Sequence, residues 1–249
     1  MLGRLAREHD VAVLLTRPDA PRGRGRKVAL SPAKEVAQRL GIDVLQPARL
    51  TSEVRFDVDA VVVCAYGLLI PDVLLERNLW LNVHPSQLPR WRGAAPVERA
   101  IMAGDRETGV TIHRTIKELD AGPIASQQAF SIGPDDDAGT VFAHAAELAV
   151  ELLRGVLPSP RFEPQSGDGV TYAEKITAVD RKLDWSRPAQ ELHNRVRALS
   201  PHIGARGIVD GRRVIVWRTR VRDGKLELLE VQPEGRRRMT YEEFERGLR

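Results

Sequence analysis

Asn82 and His84 alternate with Leu81 and Val83 at the end of an apolar run, so an extended chain sends both polar side chains to one face. An amide there offers a donor to a developing oxyanion, and an imidazole moves protons near neutral pH. A lone histidine beside a strand is more often structural than catalytic; the amide two residues before it favours chemistry. A carboxylate would orient or tune such an imidazole, and Asp120 in the turn Leu119-Asp120-Ala121-Gly122-Pro123 is the candidate. On its spacing alone Asp120 reads equally as an ordinary turn former.

These residues need a scaffold that holds them at a ligand-binding edge. Residues 2–9 pattern as a helix, and VAVLLT at 11–16 as a short buried strand. A helix capped by Ser31 and opened by Pro32 runs to Gly41, followed by strands near 42–46, at 60–65 and at 79–83, with a short helix from Pro71. This alternation predicts an α/β fold with a doubly wound, mostly parallel sheet, whose ligands bind at the carboxyl edge of the strands. Asn82 and His84 lie at that edge. Pro85, Pro89 and Gly93 then shape a stiff loop before a helix from Ala95 and Pro96, and a stiff loop holds a reacting group without an ordering cost at each turnover.

Residues 109–115 and 123–132 pattern as two strands joined by the Asp120–Gly122 turn, and 135–157 as a long amphipathic helix. The stretch 159–176, rich in Pro, Ser, Gly and charge, predicts a linker. The expected division is a first domain over 1–180 and a small C-terminal β-rich domain over 181–249, the latter holding a helix at 188–199, short strands that form a small barrel or open sheet, and a terminal helix from Tyr241.

Composition narrows the class. Hydrophobic residues make up 42% and charged residues 29% of the 249, and no apolar run approaches the roughly 20 residues of a membrane helix. No secretory signal pattern opens the chain, so cytoplasmic residence is the expectation. The single cysteine, Cys64, excludes an internal disulfide framework and a cysteine-based zinc cluster, and its apolar setting predicts a buried, inert thiol. No metal is expected. The net charge is +4 and the pI near 9.5, but the distribution says more. Arg17, Arg22, Arg24, Arg26 and Lys27 crowd one stretch; Arg206, Arg212, Arg213, Arg218, Arg220 and Arg222 crowd another. Such clusters are either solvated loops or the contact surface of a polyanion.

HPSQLPRWRGAAP with Asn82 two residues before His84, and LDAGPI downstream, resemble the signature of the 10-formyltetrahydrofolate-dependent formyltransferases. Within that family the likeness is greatest to the branch that formylates methionyl-tRNA, through PDAPRGRGRKVALSPAKEVA, AYGLLIP, RWRGAAP, TYAEKI, LDWSRPAQELHNRVRAL and LEVQPEGRRRMT. The resemblance spans nearly the whole chain. It implies a Rossmann-like formyltransferase domain and a reduced OB-like C-terminal domain. It also implies a catalytic set of Asn82, His84 and Asp120, and direct transfer of a formyl group from 10-formyltetrahydrofolate to an amine. The reduced folate is expected along Ala65, Tyr66, Gly67, Ser86, Leu88 and Pro89 and the Asp120–Gly122 turn. Initiator methionyl-tRNA is the implied partner, bound through Arg22, Arg24, Arg26 and Lys27 and through Arg212 and Arg213, with the protein a monomer. Arg24 matches the key arginine of the family's acceptor-end loop.

Four departures from the family pattern stand beside these expectations. The family opens with a buried strand and a glycine-containing loop, whereas this chain begins within the helix that follows, so on the order of 15–20 further residues are expected upstream. The second domain has only Arg222, Asp223 and Gly224 between its two longest strands, which predicts a hairpin and an incomplete barrel. SPHIGA at 200–205 lacks the aromatic residue of the corresponding family loop, and Gln87 stands where leucine is usual. Two rival readings share the motifs: a formyltransferase acting on a nucleotide sugar or glycinamide ribonucleotide, and a noncatalytic homologue that binds tRNA or folate.

Overall fold

The computed structural model describes residues 1–22 and 27–247. In chain order the elements are α1 (Leu2–Glu8), β1 (Val13–Leu15), β2 (Ala20–Arg22), β3 (Lys27–Ala29), α2 (Pro32–Leu40), β4 (Asp43–Leu45) and β5 (Val61–Val63). There follow α3 (Asp72–Arg77), β6 (Trp80–His84), β7 (Arg92–Gly93), α4 (Pro96–Ala103), β8 (Glu107–Arg114), β9 (Ile124–Ser131) and α5 (Ala138–Val156). The remainder comprises β10 (Tyr172–Ala173), α6 (Ala189–Leu199), β11 (Ala205–Val209), β12 (Arg212–Arg222), β13 (Lys225–Pro233), β14 (Met239–Thr240) and α7 (Tyr241–Arg246). Among the described residues no helix is long and apolar enough to cross a membrane.

The chain condenses into two compact units that interleave along the sequence: residues 1–84, 111–127 and 146–165, and residues 85–110, 128–145 and 166–249. In the first unit, α2 has the ends its sequence predicts. Ser31 Oγ accepts the Lys34 amide at 3.2 Å, and Gly41, at φ 69°, closes the helix with its N–H on Ala37. β1 pairs in parallel with β4, and β5 in parallel with β6. β6 then pairs antiparallel with β8, in the strand order β5-β6-β8-β9. β1 and β4 form a sheet of their own, so the sheet is in two pieces. Among the described residues each of β1 and β5 therefore has one hydrogen-bonded neighbour. That is why the apolar runs VLL and VVV are half-buried where full burial was expected. Leu50, Leu74 and Trp80 form the buried centre below them, with Leu15, Val61, Val63 and Tyr66 packed around it.

Cys64, directly after β5, is also exposed and not buried as its setting suggested. Partial desolvation by the surrounding protein still raises the thiol pKa.

In the second unit, β11-β12-β13-β14 form an open antiparallel sheet. The hairpin between β12 and β13 turns on Asp223 and Gly224, at φ 50° and 71°, the paired left-handed conformation that a two-residue hairpin loop requires. The sheet does not close into a barrel. Its inner face is instead covered by helices: Leu192, Val196 and Leu199 of α6 and Phe244 of α7 pack on Ala205, Val214, Val216 and Val231. Each of these Leu, Val and Phe side chains, fully buried, contributes about 1.5–3 kcal/mol. Thr240 and Glu243 cap α7 reciprocally. Arg197, on the buried side of α6, donates to the carbonyls of Gly133 and Asp136 at 3.1 and 3.0 Å, so its desolvated charge is matched by acceptors.

Candidate active site

The first unit brings Asn82, His84 and Asp120 together. β6 delivers Asn82 and His84 to its carboxyl end, with Val63 of β5 in register beside Asn82. Asp120 arrives on the turn that follows β8. Asn82 Nδ2 donates to Asp120 Oδ1 at 3.2 Å, and His84 Nδ1 lies 3.6 Å from Asp120 Oδ2. The His84 and Asp120 side chains are only 5% and 11% exposed, so electrostatic interactions between them are little screened by water. The His84–Asp120 separation is too long for a hydrogen bond, and such contacts commonly tighten when a substrate enters.

A fourth member, His113, lies in register opposite Asn82. Asn82 Nδ2 also stands 3.1 Å from His113 Nε2, and His113 Nδ1 is 3.0 Å from the Arg114 carbonyl. A carbonyl only accepts, so Nδ1 carries the hydrogen and Nε2 offers a lone pair to Asn82. The two hydrogens of the Asn82 amide are thus directed at His113 and Asp120. This fixes the amide plane, because the reversed orientation would set its oxygen against the carboxylate. His113 is 1% exposed, and its Nε2 lies 3.5 Å from Asp120 Oδ1.

The Asp120 turn is shaped by its neighbours. Asp120 has φ 47°, a conformation rare for a residue with a side chain. A Cβ on Gly122 would lie 1.8 Å from the Arg114 carbonyl oxygen, so only glycine fits there. Gln165 donates its side-chain amide to the carbonyls of both Asp120 and Gly122, each at 2.8 Å.

The other expected site residues fall in several places. Ala65, Tyr66 and Gly67 follow β5, and the parallel register brings that loop out at the same carboxyl edge as Asn82 and His84. Ala65 and Gly67 have φ 50° and 66°, and the Tyr66 carbonyl accepts Arg17 Nε at 2.9 Å. Burial raises the Tyr66 phenol pKa. Ser86, Leu88 and Pro89 belong to the second unit. There Ser86, fully buried, donates its hydroxyl to the Arg90 carbonyl at 2.7 Å, and Leu88 is buried. Gln87 donates to Glu107 Oε1 at 2.9 Å and to the Thr108 carbonyl at 3.1 Å, contacts that a leucine would not make. Arg212 and Arg213 are exposed at the start of β12. Arg22 and Lys27 are backbone partners across the β2–β3 pair; Arg24 and Arg26 lie outside the described residues.

His113 and Gln165 were not singled out in the sequence. His113 alternates with the apolar residues of β8 in the way Asn82 and His84 do on β6, which is a usable signal. Gln165 gave none, since its partners are backbone carbonyls distant along the chain.

Residues 4–157 match the family model described as formyl transferase, and 175–225 that of the formyl transferase C-terminal domain. A methionyl-tRNA formyltransferase of Methylococcus capsulatus is 40% identical over 276 residues, an alignment covering 96% of this chain and 90% of the relative. Among solved structures, a methionyl-tRNA formyltransferase from Clostridium thermocellum superposes with a TM-score of 0.61 at 16% identity, covering 70% of this chain and 77% of that one. HypX from Aquifex aeolicus, solved in complex with tetrahydrofolic acid, superposes at 0.58 with 16% identity, covering 84% of this chain and 43% of its own. At these identities the structures speak for the fold. The family models and the sequence relative carry further, and they assign the chain to the formyl transferase family.

Proposed function

We propose that this protein transfers the formyl group of 10-formyltetrahydrofolate to the α-amine of methionine on initiator methionyl-tRNA, as a cytoplasmic monomer. Residues 1–180 are its catalytic domain and 181–249 its tRNA-binding domain. The observation that carries the chemistry is the convergence of an amide, an imidazole and a carboxylate, all on one small unit, around Asp120. The acceptor rests on the likeness to methionyl-tRNA formyltransferase, which runs through the C-terminal region as well as the catalytic one.

The steps follow from the residues. The neutral amine attacks the formyl carbon, forming a new C–N bond and moving the carbonyl electron pair onto oxygen. Imidazolium His84, its Nδ1 turned to Asp120, donates toward that oxyanion. Asn82 adds a second donor by exchanging its 3.2 Å bond to Asp120 for one to the oxyanion. Asp120 takes up the proton lost by the amine, through water, and returns it by the same route to the folate nitrogen as the C–N bond to the folate breaks. The folate sits against the loop at Ala65, Tyr66 and Gly67 and the Asp120–Gly122 turn; Ser86, Leu88 and Pro89 are its other expected contacts. Arg22, Arg24, Arg26 and Lys27 contact the acceptor end of the tRNA, and Arg212 and Arg213 continue the phosphate track.

The test offers labelled 10-formyltetrahydrofolate with charged initiator tRNA, an amino-sugar nucleotide or glycinamide ribonucleotide. Label is expected on methionyl-tRNA. Label on either small acceptor, or folate binding without turnover on any of the three, would overturn this reading in favour of a rival.

A further inference from the structure

Asp120 is held in an unusual conformation, and what holds it comes from a distant part of the chain. With φ 47° at Asp120, the carbonyls of Asp120 and Gly122 both reach one nitrogen, Gln165 Nε2. Two carbonyl dipoles converging on one point repel unless a donor stands between them. A primary amide is well matched, since one nitrogen carries two hydrogens without adding charge. The backbone that brings Gln165 there is itself anchored: Glu163 and Ile124 exchange both backbone hydrogen bonds, at 2.8 and 2.9 Å, two residues before it. On the other flank, the Arg114 amide donates to the Pro123 carbonyl at 2.9 Å, and Gly122 is pressed against the Arg114 carbonyl. The turn is therefore gripped from β8 on one side and by Gln165 on the other.

We propose that Gln165 is a positioning residue for catalysis: its side-chain amide holds the Asp120 turn so that the carboxylate stays within reach of His84 and Asn82. The inference rests on the function proposed above. Without the amide, the two carbonyls separate, the turn relaxes, and the carboxylate withdraws from contacts that are already 3.2 and 3.6 Å long. Small misplacements of this kind lower turnover without removing any contact to substrate.

The experiment is a double-mutant cycle on the full chain, with methionyl-tRNA and 10-formyltetrahydrofolate as substrates. Gln165→Met keeps the side-chain length and removes both donors. It is expected to lower kcat on the order of 10-fold, with KM for both substrates changed by less than about 2-fold. Gln165→Asn, one methylene shorter, should fall between the two and serves if the Met variant does not fold. In an Asp120→Asn background either substitution should have no further effect on kcat, because Gln165 acts through that carboxylate. A merely structural role predicts the same fractional loss in both backgrounds, and that result, or an undiminished kcat in Gln165→Met, overturns the proposal. A wild-type protein inactive toward methionyl-tRNA, or a fully active Asp120→Asn variant, overturns the proposed function and this inference together. An active wild type with additive losses overturns the inference alone.

Discussion

Asn82 and His113 face each other across two antiparallel strands, with the amide nitrogen of one 3.1 Å from the ring nitrogen of the other. Since His113 gives its own hydrogen to the Arg114 carbonyl, it can only accept from Asn82. The relationship makes a buried histidine the reference point for the Asn82 amide. Replacing His113 by leucine should lower kcat on the order of 10-fold and cost about 1–3 kcal/mol for the polar groups left unpaired. His113→Gln, which can still present an acceptor, should recover part of both. Steady-state kinetics and chemical denaturation separate the two effects, and an unchanged kcat in His113→Leu would remove His113 from the account.

Gly122 and Gly155 make opposite predictions for the same substitution. A methyl on Gly122 meets the Arg114 carbonyl oxygen at 1.8 Å, a backbone atom that cannot step aside. Gly122→Ala is expected to lower Tm by about 2–4 °C for each kcal/mol of stability lost and to reduce formyl transfer, because the Asp120 turn must move. Gly155 lies in α5 with open space around the added carbon. Gly155→Ala should be neutral or stabilising by up to about 1 kcal/mol and leave transfer unchanged. Thermal melts of the pair, beside activity, check both.

The order of helices and strands, the ends of α2, and the shared face of Asn82 and His84 were legible because they are local. Capping residues and a period of two carry their own signal. Burial was less legible. VLL and VVV read as buried strands, yet apolar patterning reports the preference of a strand and not the number of its neighbours, and among the described residues β1 and β5 each have one. Asp120 was legible as a turn residue and through the family resemblance, while its contacts with Asn82 and His84 depend on chain closure across tens of residues. Gln165 illustrates the limit most clearly, since a side chain that binds backbone carbonyls leaves no partner residue type to look for.

Arg99 and Asp180 make a pH-dependent contribution within the second unit. The guanidinium meets the carboxylate in a fork at 2.7 and 3.1 Å, and the Thr177 amide and hydroxyl donate to it at 2.8 Å each. Arg99 foremost, with help from Thr177, holds the Asp180 carboxyl well below the usual carboxylate range, outweighing the opposing effect of burial. A depressed carboxyl stabilises the fold above its unfolded pKa of about 4 and loses that contribution as pH falls further. Asp180→Asn should therefore cost about 1 kcal/mol near neutral pH. The gap from wild type should narrow below about pH 4. Denaturation across that range measures it, and a gap independent of pH would contradict the assignment.

Arg24 is predicted to meet phosphate and not a base. Arg24→Ala should weaken initiator tRNA binding and reduce the slope of log affinity against log salt by about 1. Filter-binding titrations at several salt concentrations give that slope. Equal affinity for wild type and variant at every salt concentration would count against the loop's role.

In the proposed mechanism His84, poised against Asp120, stabilises the tetrahedral state of formyl transfer. Single-turnover transfer from 10-formyltetrahydrofolate to methionyl-tRNA, measured for wild type and His84→Ala at saturating enzyme, tests it most directly. A loss of at least about 10²-fold in the transfer rate, with tRNA and folate affinities retained, is the predicted result. A variant that transfers formyl at the wild-type rate would contradict the account.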